Sequence, residues 1–229
     1  MMHNKEPQES LWSLMGLLFK AHPWHGVPIG EQMPERLTVY IEIVPTDTVK
    51  YEIDKATGFL KVDRPQQFSN VCPALYGFVP QTYCGERVAA LCAERTGRAQ
   101  ITGDADPLDI CVLTEKVISH GDILLQAIPI GGFRMLDGAE ADDKIIAVMA
   151  GDAAFGNWQD LNDCPPALLK RLQHYFLTYK MDPGTSSNAC EITHVYDRSE
   201  AHEVIQRSYD DYLAHFGDVK GRLSAAWHS

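Results

Sequence analysis

The 229 residues are 45% hydrophobic and 22% charged, an ordinary globular balance with enough chain to bury a substantial core, and no stretch nears the length needed to span a bilayer. The formal charge of −11 excludes the basic stripe by which a protein tracks nucleic-acid phosphates. Six cysteines without a C-x2-C spacing are too sparse for a disulfide framework and fit reduced thiols in a cytoplasmic protein.

Residues 9–20 read as a short helix capped by Ser10, with Leu11, Met15 and Leu18 on one side, ended by the break at 21–26. Glu6 and Glu9 accompany Lys5 before its apolar run and no small-residue cleavage site follows, so the segment reads as part of an N-terminal arm, 1–36, rather than a signal peptide. His22 and His25 flank Pro23-Trp24 in a turn and read as hydrogen-bonded packing residues, not ligands.

Residues 37–44 alternate as a strand in which Tyr40 and Glu42 face away from Val39, Ile41 and Ile43. Strands at 49–53 and 59–62 follow, joined by a tight connection at 54–58. This hairpin delivers Glu42, Lys50, Glu52 and Arg64 toward one surface. Taken alone, that surface reads first as a solvated face with cross-strand ion pairs, and the aspartate cluster further along the chain reverses the preference. After Pro73-Ala74-Leu75-Tyr76-Gly77-Phe78, residues 86–95 have the spacing of a short helix, with Val88, Leu91 and Cys92 on one side and Gly85 and Gly97 as flanks. That segment carries no recognisable chemistry.

The run Gly103-Asp104-Ala105-Asp106-Pro107-Leu108-Asp109 sets three carboxylates within six residues, just before a β-prone strand at 110–113. Carboxylate oxygens suit hard divalent cations, and the proline stiffens the loop that would present them. An Asp/Pro surface turn is the plainer alternative. A strand at 123–130 leads to a second acidic stretch, 136–144, which runs into a strand at 145–149. From Asp104 to Asp143 nine acidic residues stand against Lys116 and Arg134, a concentration that repels itself unless cations join it. Pro165-Pro166 opens a helix in which Leu168, Leu172, Phe176 and Lys180 recur at helical spacing. A strand at 190–196 and a helix at 199–216, closed by Gly217, complete a chain whose many short strands and glycine turns indicate a barrel.

The D-x-D-P-x-D segment at 104–109, the D-x4-D-x-K segment at 137–144 and the upstream Glu42…Lys50-Tyr51-Glu52…Asp63-Arg64, in this order, resemble the soluble family I inorganic pyrophosphatases over residues 37–180. The resemblance implies an α+β fold. Its centre is a small, twisted, mostly antiparallel OB-like β-barrel, flanked by two C-terminal helices and the N-terminal arm, with 1–229 as one domain. Cys72 and Leu75 depart from the pattern, standing where members often carry tyrosine and asparagine. Residues 78–103 form an insertion where many bacterial members have a short loop, and its apolar Val88 to Leu91 suggest a rearranged subunit contact.

By that resemblance Asp104, Asp109 and Asp142 hold the primary metals, and Asp137 joins Asp142 in holding those that arrive with substrate. Asp106 orients or deprotonates the water, and Lys144 neutralises the edge of the site. Lys50, Arg64, Tyr76, Tyr179 and Lys180 bind phosphoryl oxygens, while Glu42 and Glu52 act from behind on waters and lysines. The implied cofactor is Mg²⁺, several per site, with Mn²⁺ or Zn²⁺ as substitutes. The implied partner is inorganic pyrophosphate, with no nucleic acid or membrane, in a cytoplasmic homo-oligomer, hexamer favoured. A non-catalytic cation-binding barrel is the rival reading. A calcium loop counted from Asp104 fails, with Leu108 at position five and Asp109 in place of the turn glycine at six. An oligonucleotide-binding barrel fits the acidic balance poorly. An aspartyl phosphatase would carry Thr or Val after its D-x-D and a doubly wound fold.

Overall fold

The computed structural model describes residues 20–181 and 190–217. The helix expected at 9–20 therefore lies almost wholly outside the described residues. Strand β1 (Leu37–Ile43) is followed by the hairpin β2 (Val49–Ile53) and β3 (Leu60–Pro65), then β4 (Leu75–Phe78) and helix α1 (Glu86–Thr96). Next come β5 (Thr102–Gly103), β6 (Asp109–Leu113), β7 (Ile123–Asp137), β8 (Glu140–Ala141) and β9 (Lys144–Met149). Helix α2 (Pro166–Thr178), β10 (Cys190–Asp197) and helix α3 (Arg198–Phe216) complete the order.

Pairings run β1–β4–β6–β9–β7, and β7 also pairs β1, so the mixed sheet forms a barrel-like ring. Most pairs are antiparallel, as expected, but β6 and β9 are parallel and set Asp109 beside Lys144. The strand expected at 123–130 continues to Asp137. A register irregularity between Pro129 and Gly131, with Gly131 at φ 151°, lets it bend and go on to pair β8 and β10. The first acidic stretch is the loop that leads into β6 at Asp109, and the second runs from the end of β7 through β8 to the start of β9.

The ring is apolar on both sides. One buried cluster joins Leu37, Val39 and Ile41 to Val88 and Leu91 of α1 and to Val204 and Ile205 of α3. The other joins Ile43, Cys111, Phe133 and Ile146 to Leu172 and Phe176 of α2. All six cysteines are buried and free. In the N-terminal stretch Trp24 donates Nε1–H to the Thr82 carbonyl at 2.7 Å, and His25 Nδ1 lies 2.9 Å from the Tyr212 hydroxyl, packing roles as expected for this turn. Two further features differ from the sequence reading. α2 stops at Thr178, with Tyr179 as its cap, so Lys180 lies beyond the helix. The apolar Val88, Ala89 and Leu91 of segment 78–103, expected at a subunit contact, are buried in the chain's own core.

α1 begins without a side-chain cap from its own Gly85. Its open amides are met from α3, where Asp211 accepts from Gly85 N, Arg87 N and Val88 N at 2.9–3.1 Å and from the Arg87 guanidinium at 3.0 Å. A carboxylate there satisfies orphan donors and complements the helix dipole. Asp211→Ala is therefore expected to lower unfolding free energy by about 2 kcal/mol, and Asp211→Asn by less. Urea titration checks this, and an unchanged midpoint in Asp211→Ala would show that the cap contributes nothing.

Candidate active site

The residues nominated from the sequence converge. Glu42 on β1, Lys50 and Glu52 on β2, Arg64 on β3, Tyr76 on β4, Asp104, Asp106 and Asp109 before and at β6, Asp137 at the end of β7, Asp142 and Lys144 at β9, and Tyr179 and Lys180 after α2 all line one cleft of about 220 Å³. Strand alternation explains the hairpin's share, since Lys50 and Glu52 are two residues apart and project together. Lys50 Nζ lies 3.1 Å from Glu52 and 3.1 Å from Asp63, and Asp63 also holds Arg64.

The D-x-D loop is shaped by its backbone and by the insertion behind it. Ala105 takes a left-handed φ of 61°, an uncommon conformation for a residue with a side chain, and Asp106 N donates to Asp104 Oδ1 at 3.0 Å. Cys84 reaches the loop twice, its N–H donating to Asp106 O at 2.8 Å and its carbonyl accepting from Ala105 N at 3.1 Å. A Cβ on Gly103 would collide with the Cys84 carbonyl, so this approach requires glycine. Thr82 Oγ1 accepts from Leu108 N at 2.9 Å. The insertion thus braces the loop as well as filling the core.

At the floor, Lys144 is 1% exposed, the centre of the cluster rather than the edge where the sequence reading set it. Its ammonium lies 2.5 Å from Asp109 Oδ2 and also holds Asp142. Burial works to lower its pKa, but the charges of Asp109 and Asp142 outweigh that and hold it well above the ordinary lysine value. The Tyr76 hydroxyl donates to Asp109 at 2.5 Å, and burial followed by the Asp109 charge keeps the phenol protonated. Lys180 Nζ lies 2.5 Å from Asp137. Glu42 accepts from Ile53 N at 2.6 Å, and its burial pushes its pKa up to about 8. Lys55 was overlooked in the sequence, where it reads as one residue of a turn; it lines the cleft and pairs with Asp106. Glu140 lines the cleft as well.

Eight carboxylates and five cationic side chains meet in this cleft. Asp104 is pushed up to about 8, by burial first and then by the charges of Asp142 and Asp109, and its carboxyl shares a hydrogen bond with Asp142. Asp142 is raised by burial, against the pull of Lys144. Among the described residues no three of these donors form a ready-made cation cage, because ammonium groups stand between them. The donor set nevertheless fits hard divalent cations: oxygen ligands from three strand ends, with negative charge in excess of what the lysines neutralise.

The inorganic pyrophosphatase family model matches residues 39–213. The chain belongs to this family. It is 54% identical over 199 residues to the inorganic pyrophosphatase of Chlamydia caviae, covering 85% of this chain and 92% of that protein. It is 36% identical over 198 residues to soluble inorganic pyrophosphatase 3 of Arabidopsis thaliana, covering 85% and 82%. The crystal structure of the Thermus thermophilus inorganic pyrophosphatase superposes with a TM-score of 0.70 at 29% identity, over 84% of this chain and 99% of that one. Among the described residues no helix is long and apolar enough to cross a membrane.

The raised carboxyl groups tie this pyrophosphatase site to stability. A carboxyl whose folded pKa lies above its unfolded value favours folding while protonated, and that advantage is lost as pH rises from about 4 through 8. With chelator present, urea midpoints should fall between about pH 5 and pH 8, by on the order of 2 kcal/mol. Asp104→Asn should flatten the slope. A midpoint that rises with pH over this range is the result that contradicts it.

Proposed function

We propose that this cleft hydrolyses inorganic pyrophosphate to two orthophosphates with divalent cations bound among its carboxylates, Mg²⁺ being the physiological ion. The support is the convergence just described, in which residues from several strands and the end of α2 set cation-binding oxygens against phosphate-binding Lys, Arg and Tyr side chains in one small cleft. Asp104, Asp109 and Asp142 would hold the primary cations, and Asp137 with Asp142 those that enter with substrate. When bound, such ions neutralise phosphoryl oxygens and lower the pKa of water, toward about 7 in the strongest cases.

The chain's own side chains supply the rest. Asp106, half exposed at the mouth where Lys55 reaches it, takes the proton of the attacking water. Lys50 and Lys180 meet phosphoryl oxygens as compact charges and Arg64 as a planar fork. Tyr76, kept protonated by burial, and Tyr179 donate hydroxyls. Lys144 keeps Asp109 and Asp142 from repelling each other. Glu42 and Glu52 accept hydrogen bonds from behind, as Glu42 already does from Ile53. We further propose a single catalytic domain acting in the cytoplasm as a homo-oligomer, a hexamer by its family resemblance. The non-catalytic barrel is not favoured, since it gives no reason for five cationic groups to face the carboxylates.

Phosphate release from pyrophosphate is expected to require Mg²⁺, to stop in excess chelator, and to exceed by far that from a simple phosphomonoester, which lacks the second phosphoryl group that the five cationic side chains of the cleft would hold. Equal rates on both substrates, or full activity in chelator, sink the proposal. Within the site, Asp109→Asn should weaken cation binding, whereas Asp106→Asn should lower kcat by about 10² to 10⁴-fold with little change in the Mg²⁺ midpoint. If added Mg²⁺ rescued Asp106→Asn and not Asp109→Asn, the two roles would have to be exchanged.

A further inference from the structure

Behind Asp142 and Lys144, on the side away from the cleft, lies a charged cluster that the proposed chemistry does not use. Arg134, in β7, is fully buried. Its Nη1 donates to Asp143 Oδ2 at 2.5 Å and its Nη2 to Glu200 Oε1 at 2.6 Å, while its Cζ sits 5.1 Å from the centre of the Tyr196 ring. His194 Nε2 lies 3.5 Å from the same Glu200 oxygen. Asp143 is 1% exposed. Desolvating such a group of charges costs several kcal/mol per ion, and apolar residues of like volume often serve stability as well or better, so fold stability does not account for it.

Geometry offers an account. Asp142, Asp143 and Lys144 are consecutive, and Asp142 and Lys144 line the cleft while Asp143 between them pairs with Arg134 on the other side. A carboxylate fixed on the far side therefore determines which way its two neighbours face. Arg134 is itself fixed twice, by β7, where Phe133 pairs with Lys144, and by Glu200 in the first turn of α3, whose N-terminus Asp197 caps. Asp142 N donates to Met135 O at 3.0 Å, next along the same strand.

We propose that Arg134 is a positioning residue for the pyrophosphatase reaction: anchored by Glu200, it holds Asp143 on the core side and so turns Asp142 and Lys144 into the cleft. The inference rests on the cation-binding reading of Asp142 given above. It assigns a role to Arg134 and Asp143, neither of which lines the cleft or belongs to a motif.

The experiment compares Arg134→Lys, Asp143→Asn and the double variant Arg134→Met/Asp143→Leu with the parent, using Asp142→Asn as reference. Mg²⁺ binding is measured by calorimetry without pyrophosphate, folding by urea midpoint, and kcat and KM by phosphate release. Asp142→Asn should weaken Mg²⁺ binding; if it does not, the site reading itself fails, whatever the other variants do. The double variant removes Arg134 and Asp143 together and leaves the partly exposed Glu200 to His194 and Arg95, at 3.5 and 3.7 Å. It should keep a midpoint near the parent's, yet bind Mg²⁺ at least tenfold more weakly, as expected for a group that orients a metal-ligating residue. Asp143→Asn retains an acceptor for Arg134 and should stay within about threefold of the parent in Mg²⁺ affinity and kcat. Arg134→Lys keeps the charge but lacks the fork that spans Asp143 and Glu200, and should resemble the double variant in Mg²⁺ affinity. It decides the matter should the double fail to fold. Parental Mg²⁺ affinity and kcat in either the double or Arg134→Lys overturns the proposal, as does a loss in Asp143→Asn as large as in the double.

Discussion

Carboxylates gathered at one end of the ring, closer than their charges tolerate unaided, constrain the rest of this structure. Two like charges about 4 Å apart repel by roughly 4 kcal/mol where the effective dielectric constant is near 20. Asp104, Asp109 and Asp142 reach this density because one parallel strand pair sets Asp109 beside Lys144, while Asp142 enters at the same end of β9. An antiparallel arrangement of β6 and β9 would send their two acidic starts to opposite ends of the sheet. The ammonium of Lys144 and the hydroxyl of Tyr76 then make the cluster tolerable by bonding its oxygens.

In this arrangement lysines hold the oxygens that the proposed chemistry assigns to divalent cations. Lys144, Lys180 and Lys55 are paired with Asp142, Asp137 and Asp106, the residues that the proposed chemistry requires for cations or water. On the proposed reading, a divalent cation entering the cleft would meet oxygens that these ammonium groups already hold. The raised carboxyl groups of Asp104 and Glu42 measure what the polypeptide leaves uncompensated. Stability given up at a functional site is a common outcome of selection for activity.

The segment 78–103 shows how residues without catalytic side chains still serve a site. Its helix fills the space between the ring and α3, and its amides are capped by Asp211 from that helix. The residues leading into the helix back onto the D-x-D loop through Thr82 and Cys84, with Gly103 as the point of closest approach. Backbone hydrogen bonds that fix a ligand-bearing loop need no particular side chain, which is why this support leaves little trace in the sequence.

The sequence by itself determined most of the strands, the helices α1 to α3 and the family. Alternating and helical periodicities follow from burying one face of an element, and the aspartate spacings follow from the need to present oxygens from short stiff segments. The cleft residues were legible for the same reason, since Asp104, Asp106, Asp109, Asp137 and Asp142 lie in two compact motifs. Tertiary structure alone decided the parallel β6–β9 register, the run of β7 through its two glycines to Asp137, and the central place of Lys144. It alone brought Lys55 to Asp106 and Arg134 to Asp143 and Glu200. Those are contacts between residues far apart in the chain or on opposite sides of a strand, and local periodicity carries no term for which distant partner a side chain will meet.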